Sequence, residues 1–78
     1  MNKSIHSKRY RQLIKKLVEA RKNQKITQRD LSSKLNQYIT FVSKYETMER
    51  RLDVIEFVDV CVALGEDPIR LIKTTLET

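Results

Sequence analysis

The sequence predicts an all-α fold of five short helices, and two observations support this. Gly65 is the only glycine and Pro68 the only proline among 78 residues, so strands joined by tight turns are not expected. Apolar residues recur three and four positions apart through most of the chain, which is the spacing of one helix side. At this length we expect a single domain with a small core over residues 7–78, preceded by a flexible polar tail over residues 1–6.

We expect the first helix over residues 7–22, where apolar side chains recur at helical spacing. Its apolar side is formed by Tyr10, Leu13, Ile14, Leu17, Val18 and Ala20. Five basic side chains between Lys8 and Lys16 fall mainly on the opposite side. The polar residues 22–25 interrupt the spacing and indicate a turn.

The second and third helices are expected to be short. Thr27 is a good N-cap for the second helix, and Asp30, three residues later, favours the positive end of the helix dipole. Asn36 suits the left-handed residue that follows a helix. We expect the third helix over residues 38–47, which leaves a connection of only about three residues between the two helices.

The predicted third helix has an apolar side and a polar side. Ile39, Val42 and Tyr45 are three residues apart, which fits one buried side of a helix. The other side presents residues that a small core does not require, namely Tyr38, Thr40, Ser43 and Lys44. This second side therefore raises the question of a binding partner.

The fourth and fifth helices are predicted to begin at acidic caps. Asp53, with Glu56 three residues later, fits the N-cap of the fourth helix, and Asp67 followed by Pro68 fits the start of the fifth. Gly65 lies where a helix end requires a positive φ. The residues expected on the buried side of the fourth helix are Val54, Phe57, Val58, Cys61, Val62 and Leu64. The apolar stripe of the fifth helix consists of Ile69, Ile72 and Leu76.

The net charge of +6 is divided unevenly along the chain. Residues 1–51 hold 14 Lys and Arg against 4 Asp and Glu, a balance of +10, whereas residues 52–78 carry a balance of −4. A basic region beside an acidic one suits a polyanion that docks on one side. A solvated basic surface without any partner is the alternative interpretation.

The sequence offers no set of residues for catalysis or metal binding. Cys61 is the only cysteine, which excludes an internal disulfide and, at an apolar position, suits a reducing cytoplasm. His6 lies in the predicted tail, away from Cys61, so neither a metal-ligand set nor a nucleophile pair is expected. The chain has no Gly-rich phosphate loop and no run of about 20 apolar residues. We therefore expect no enzymatic activity, no cofactor, no metal and no membrane span.

Two short helices joined by a tight turn in a basic five-helix domain describe a helix-turn-helix. The chain combines Arg21, Gln28, Leu31, Val42-Ser43-Lys44-Tyr45-Glu46 and Ala63-Leu64-Gly65 in this order. With these residues, over about residues 9–73, it resembles the Xre family, the Cro/CI-type, phage-repressor-like helix-turn-helix proteins. The order and spacing of these residues carry the resemblance, since no single position is specific.

The chain departs from the family pattern at four places. Ser32 stands where the family has a small Ala, Asn36 replaces the turn Gly, and Gln37 replaces an apolar residue. Thr47 and Met48 replace the Asn-Gly that usually follows the Glu ending the third helix. The first three are plausible local substitutes, and the last concerns the loop before the fourth helix.

The resemblance implies that the third helix reads base edges in the major groove. The family's base-reading positions fall on Tyr38, Ile39, Thr40, Ser43 and Lys44. Lys44 can donate to guanine O6 and N7, and the Thr40 methyl group or Ile39 can pack on a thymine methyl. In this interpretation Ile39 faces outward and only Val42 and Tyr45 anchor the inner side.

The resemblance also implies phosphate contacts and one ion pair. The expected phosphate-binding residues are Thr27, Gln28, Lys34, Arg50 and Arg51. Such contacts position a protein on DNA without reading its sequence. Arg21 and Glu46 occupy the family positions of an ion pair that ties the first helix to the end of the third.

The function implied is that of a sequence-specific, double-stranded-DNA-binding transcriptional regulator, a repressor that binds a palindromic operator as a homodimer. Two recognition helices about 34 Å apart would read half-sites one turn apart. The fifth helix offers apolar side chains beyond one stripe, so the expected dimer interface comprises Ile69, Leu71, Ile72 and Leu76.

Other functions remain open at this point. A protein-interaction module of the same fold, such as an antitoxin that binds a toxin partner, is the main alternative, although it gives no reason for the basic first part of the chain. Phage repressors, restriction–modification controllers and antitoxins all share the module. A membrane-surface binder is disfavoured because the apolar side of the first helix is better used as core.

Overall fold

The computed structural model describes residues 7–77, in which five helices and no strand are present. The helices are α1 (Lys8–Asn23), α2 (Gln28–Lys34), α3 (Phe41–Glu46), α4 (Val54–Ala63) and α5 (Pro68–Thr75). The prediction of an all-α fold with five short helices is confirmed. The predicted flexible tail, residues 1–6, lies outside the described residues.

Side-chain caps fix where four of the helices begin. Ser7 Oγ accepts a hydrogen bond from Tyr10 N at 3.1 Å, and Thr27 Oγ1 accepts one from Asp30 N at 3.0 Å. Asp53 and Glu56 form a complete capping box at α4. At α5, Asp67 caps the helix and Pro68 takes its first position. These starts agree with the sequence because an N-cap depends only on residues within one turn.

The connection between α2 and α3 is longer than predicted. It comprises residues 35–40, because α3 begins at Phe41 rather than at residue 38. Asn36 is left-handed with φ 57°, as expected, but a separate turn follows in which Phe41 N donates to Tyr38 O at 2.9 Å. This turn occupies the residues that were predicted to form the first helical turn.

Four residues with positive φ follow the first four helices. Asn36 and Gly65 were predicted from the sequence, whereas Lys25 (φ 59°) and Met48 (φ 68°) were not. Met48 is half-buried and packs against the core, and this packing helps to hold a conformation that non-glycine residues rarely adopt. The loop after α3 therefore turns in the left-handed region without a glycine.

The core lies where the five helices meet. Its buried apolar residues are Ile14, Leu17, Ala20, Leu31, Phe41, Val42, Tyr45, Leu52, Phe57, Val60, Cys61, Leu64 and Leu71. Helix α1 contacts α3 and α5, α2 contacts α3, and α4 contacts α5. The core therefore supports both helices of the helix-turn-helix, α2 and α3.

The buried sides of α4 and α5 differ from the prediction. Val54 and Val62 are 75% and 69% exposed, and Val60 is buried in their place. The buried positions 57, 60, 61 and 64 form a narrower stripe than the apolar residues of α4 suggest.

On α5, Leu71 is a core residue, which corrects its predicted place on a dimer surface. Ile69, Ile72 and Leu76 are exposed, so the predicted stripe of α5 lies at the surface rather than in the core.

Within residues 7–77, no helix has the length and apolar character needed to cross a membrane. The same part of the chain contains no cluster of His, Cys, Asp and Glu that could hold a metal ion.

Candidate nucleic-acid interface

Helix α3 has a buried side and an outward side. Phe41, Val42 and Tyr45 are buried, and the rings of Phe41 and Tyr45 meet edge to face with their centroids 5.6 Å apart. Lys44 is exposed and Ser43 is half-buried. The burial of three of its six residues anchors α3 firmly and leaves Ser43 and Lys44 on the outward side.

Three of the five residues predicted to read bases lie in the turn before α3. Tyr38 is 85% exposed and Ile39 is 52% exposed, and Thr40, the residue before the helix, is exposed as well. Thr40, Ser43 and Lys44 are spaced three and four apart, so they share one side. We call residues 38–40, 43 and 44 the recognition surface. Ile39 faces outward, so its grouping with Val42 and Tyr45 on a buried side is wrong.

Arg21 and Glu46 form a buried, bidentate ion pair. Arg21 Nε donates to Glu46 Oε2 at 2.7 Å, and Arg21 Nη2 donates to Oε1 at 2.9 Å. The side chains are 9% and 6% exposed. Arg21 Nη1 also donates to the carbonyl of Ile26 at 2.9 Å. Charge-assisted bonds in this forked geometry are strong and directional, so they fix the end of α3 to α1, as the family resemblance implies.

Gln28 joins this ion pair rather than pointing freely outward. Its Nε2 donates to Glu46 Oε1 at 2.8 Å, and the residue is half-buried. The carboxylate of Glu46 therefore receives bonds from α1 and α2 while it sits on α3. The sequence did not suggest this inward contact of Gln28. It links α2 to the ion pair between α1 and α3.

Arg50 is held by partners within the protein, among them Glu56 and the Phe41 ring. Its Nη1 and Nη2 donate to Glu56 Oε1 and Oε2 at 2.7 and 2.6 Å, and its guanidinium lies 5.0 Å from the centroid of the Phe41 ring. The hydrogen bond from Arg50 lowers the pKa of Glu56, although burial of the carboxyl opposes this shift. Arg50 thus links the start of α4 to α3, a role that sequence reasoning missed.

The other residues predicted to contact phosphates are more exposed. The Arg51 guanidinium lies 4.8 Å from the centroid of the Tyr10 ring, which is within cation–π range. Lys34 Nζ donates to the carbonyl of Ala63 at 3.2 Å at the surface. The Thr27 hydroxyl caps α2. Arg51 and Lys34 therefore keep their charges at the surface.

Comparison with known proteins identifies the fold. No family model and no curated protein matches the chain. A solved structure described as an XRE-family like protein from Pseudomonas syringae pv. tomato is 46% identical, with a TM-score of 0.86. The match covers 95% of this chain and 90% of that one. The chain therefore belongs to the Xre family, and its five-helix fold is that of a DNA-binding regulator.

Proposed function

We propose that the protein is a cytoplasmic, sequence-specific regulator of transcription, a repressor that binds a palindromic operator in double-stranded DNA as a homodimer. The observation that carries this proposal is that α3 has one buried side and one exposed side. Phe41, Val42 and Tyr45 are buried, while the recognition surface places polar and apolar side chains outward. A short helix anchored on one side and free on the other is the form that enters a major groove.

Each residue of the recognition surface has a base-reading role in the proposal. Lys44 donates to guanine O6 or N7, and the hydroxyl groups of Thr40 and Ser43 donate to or accept from base edges. Ile39, which is exposed despite being apolar, packs on a thymine methyl group. Tyr38, at the tip of the preceding turn, reaches a phosphate or a base.

The proposed phosphate contacts fall into two classes. The first class consists of exposed side chains, namely Thr27, Lys34 and Arg51. These side chains can contact a phosphate with little rearrangement. Gln28 and Arg50 already donate to Glu46 and Glu56, so they would contact a phosphate through their remaining N–H groups. The balance of +10 over residues 1–51 attracts DNA without regard to sequence.

The proposed homodimer uses the exposed apolar residues of α5. Ile69, Ile72 and Leu76 are exposed, and burying them between two copies would add stability that a small core lacks. Leu71 is excluded because it already belongs to the core. Ile69→Glu is expected to shift sedimentation toward the monomer, whereas Val62→Glu, an equally exposed site on α4, is not.

The test is binding to a pool of random duplexes, followed by selection and sequencing. We expect enrichment of a palindrome with half-sites about one helical turn apart. Lys44→Ala and Thr40→Ala should lose affinity for the winning duplex, whereas Lys73→Ala, the same change at an exposed lysine on α5, should retain it. Binding with a steep salt dependence but no enriched sequence would contradict specific recognition.

One observation favours the alternative, a protein-interaction module such as an antitoxin bound to a toxin. An open apolar groove of about 420 Å³ runs between α1, α4 and α5, with Leu13, Val58 and Ile72 among its lining residues. Apolar grooves of this kind are common at protein interfaces. The selection experiment separates the two functions, since a pure interaction module would enrich no duplex sequence.

A further inference from the structure

Helix α3 is capped from α2 rather than by its own N-cap residue. Thr40 occupies the N-cap position with φ −94° and ψ 3° and makes no side-chain cap bond. N-cap side chains usually reach the second or third helical N–H from an extended backbone, which Thr40 does not have. Instead, Val42 N, the second helical N–H, donates to Ser32 Oγ at 3.1 Å.

Ser32 also holds the other end of the same segment. Its carbonyl oxygen accepts a hydrogen bond from Gln37 N at 3.0 Å. One buried residue of α2 is therefore bonded at both Gln37 and Val42, on either side of Tyr38, Ile39 and Thr40. These three residues belong to the recognition surface, so Ser32 constrains their backbone from within the protein.

The hydroxyl group matters because the site is closed to solvent. Ser32 and Val42 are both fully buried. Removing the acceptor would leave the N–H of Val42 unbonded in the interior, where water does not replace the lost bond. An alanine would satisfy the packing between α2 and α3 but not this N–H group.

We propose that Ser32 is a positioning residue for sequence reading, which rests on the proposed DNA-binding function. Ser32 itself touches no base or phosphate. It orients the turn that carries Tyr38, Ile39 and Thr40 and sets the direction in which α3 leaves that turn. Loss of the hydroxyl group therefore weakens discrimination between DNA sequences more than it weakens attraction to DNA in general.

The experiment compares Ser32→Ala with Ser33→Ala, the same chemical change at the neighbouring exposed serine of α2. Affinity is measured at one salt concentration for the duplex selected by the wild type and for a scrambled duplex of equal length. Ser32→Ala should bind the selected duplex at least about fivefold more weakly, comparable to a disturbed base contact. Binding to the scrambled duplex should not change, and Ser33→Ala should match the wild type on both.

Two further readouts keep structural and functional effects apart. Thermal melting sets an assay temperature at which every variant is folded, and Ser32→Thr, which keeps the hydroxyl group, should retain the wild-type ratio of the two affinities. Amide exchange of Val42 should accelerate in Ser32→Ala relative to Tyr45, and should be unchanged in Ser33→Ala.

The outcomes separate this inference from the function on which it rests. An unchanged affinity ratio in folded Ser32→Ala, or an equal loss on both duplexes, would overturn the positioning role while leaving DNA binding intact. Failure of the wild type to enrich any duplex would overturn the proposed function, and the positioning role with it.

Discussion

Arg21 and Glu46 lie 25 residues apart in the chain and meet through two hydrogen bonds of 2.7 and 2.9 Å in a nearly solvent-free site. Glu46 is the last residue of α3 and Arg21 is in the last turn of α1. The pair therefore fixes the outward direction of α3 relative to the longest helix of the domain.

Replacing one partner of this pair should destabilise the fold strongly. Glu46→Gln leaves the Arg21 guanidinium buried without a counter-charge, which typically costs about 3–5 kcal/mol. Urea denaturation gives the free energy of unfolding, and Glu19→Gln, on the exposed surface of α1, is the control. A loss no larger than that of the control would mean that the ion pair does not hold α3 in place.

Removing the hydroxyl group of Tyr45 should not destabilise the protein. Tyr45 Oη is buried and has no hydrogen-bond partner among residues 7–77, and burial is the main cause that raises the pKa of this phenol. Tyr45→Phe removes an unsatisfied polar atom. We therefore expect the free energy of unfolding to stay unchanged or to rise by about 1 kcal/mol, and the melting temperature not to fall. Tyr38→Phe, at an exposed site, is the matched control. A marked drop in melting temperature for Tyr45→Phe alone would show that the hydroxyl group is bonded in solution.

The ionised carboxylate of Glu56 should stabilise the fold at neutral pH, and this contribution should disappear in acid. The hydrogen bond from Arg50 lowers the pKa of Glu56 below its ordinary value of 4.5. A carboxyl group whose pKa is lower in the folded state stabilises the fold at pH above that ordinary value, and this contribution is lost as the pH falls through the folded pKa. Glu56→Gln should therefore flatten the fall in unfolding free energy between neutral and acidic pH. An unaltered pH profile would contradict the link between Glu56 and Arg50.

The thiol of Cys61 should react slowly with thiol reagents. Cys61 is fully buried, and burial raises the pKa of its thiol to about 11. Because the thiolate is the reactive form, little of it is present at pH 8 in the folded state. Reaction should accelerate greatly in denaturing urea. Modification of the native protein at the rate of a free cysteine would show that the core around α4 opens readily.

The sequence predicted local features of the fold well because they depend on neighbouring residues. The predicted caps at Thr27, Asp53 and Asp67 each involve a hydrogen bond within three residues. A helix start is therefore visible in the order of residues alone.

Features that depend on the packing of distant segments could not be predicted. Val54 and Val60 are equally apolar, and only the packing of α4 in the folded chain decides which of them is buried. Arg50 was expected to face a phosphate, but its partners, Glu56 and the Phe41 ring, come together only in the folded chain. Phe41 itself was overlooked because it lies outside the three-residue spacing that Val42 and Tyr45 suggested.

The measurement that tests the central claim most directly is a second selection from random duplexes, made with Lys44→Ala beside the wild type. If the outward side of α3 reads bases, the variant should still enrich a related palindrome. It should lose its preference at one position of each half-site, because one guanine contact worth about 1–3 kcal/mol is gone. If both proteins enrich the same sequence with equal preference at every position, the recognition surface does not read DNA through Lys44, and the account is contradicted.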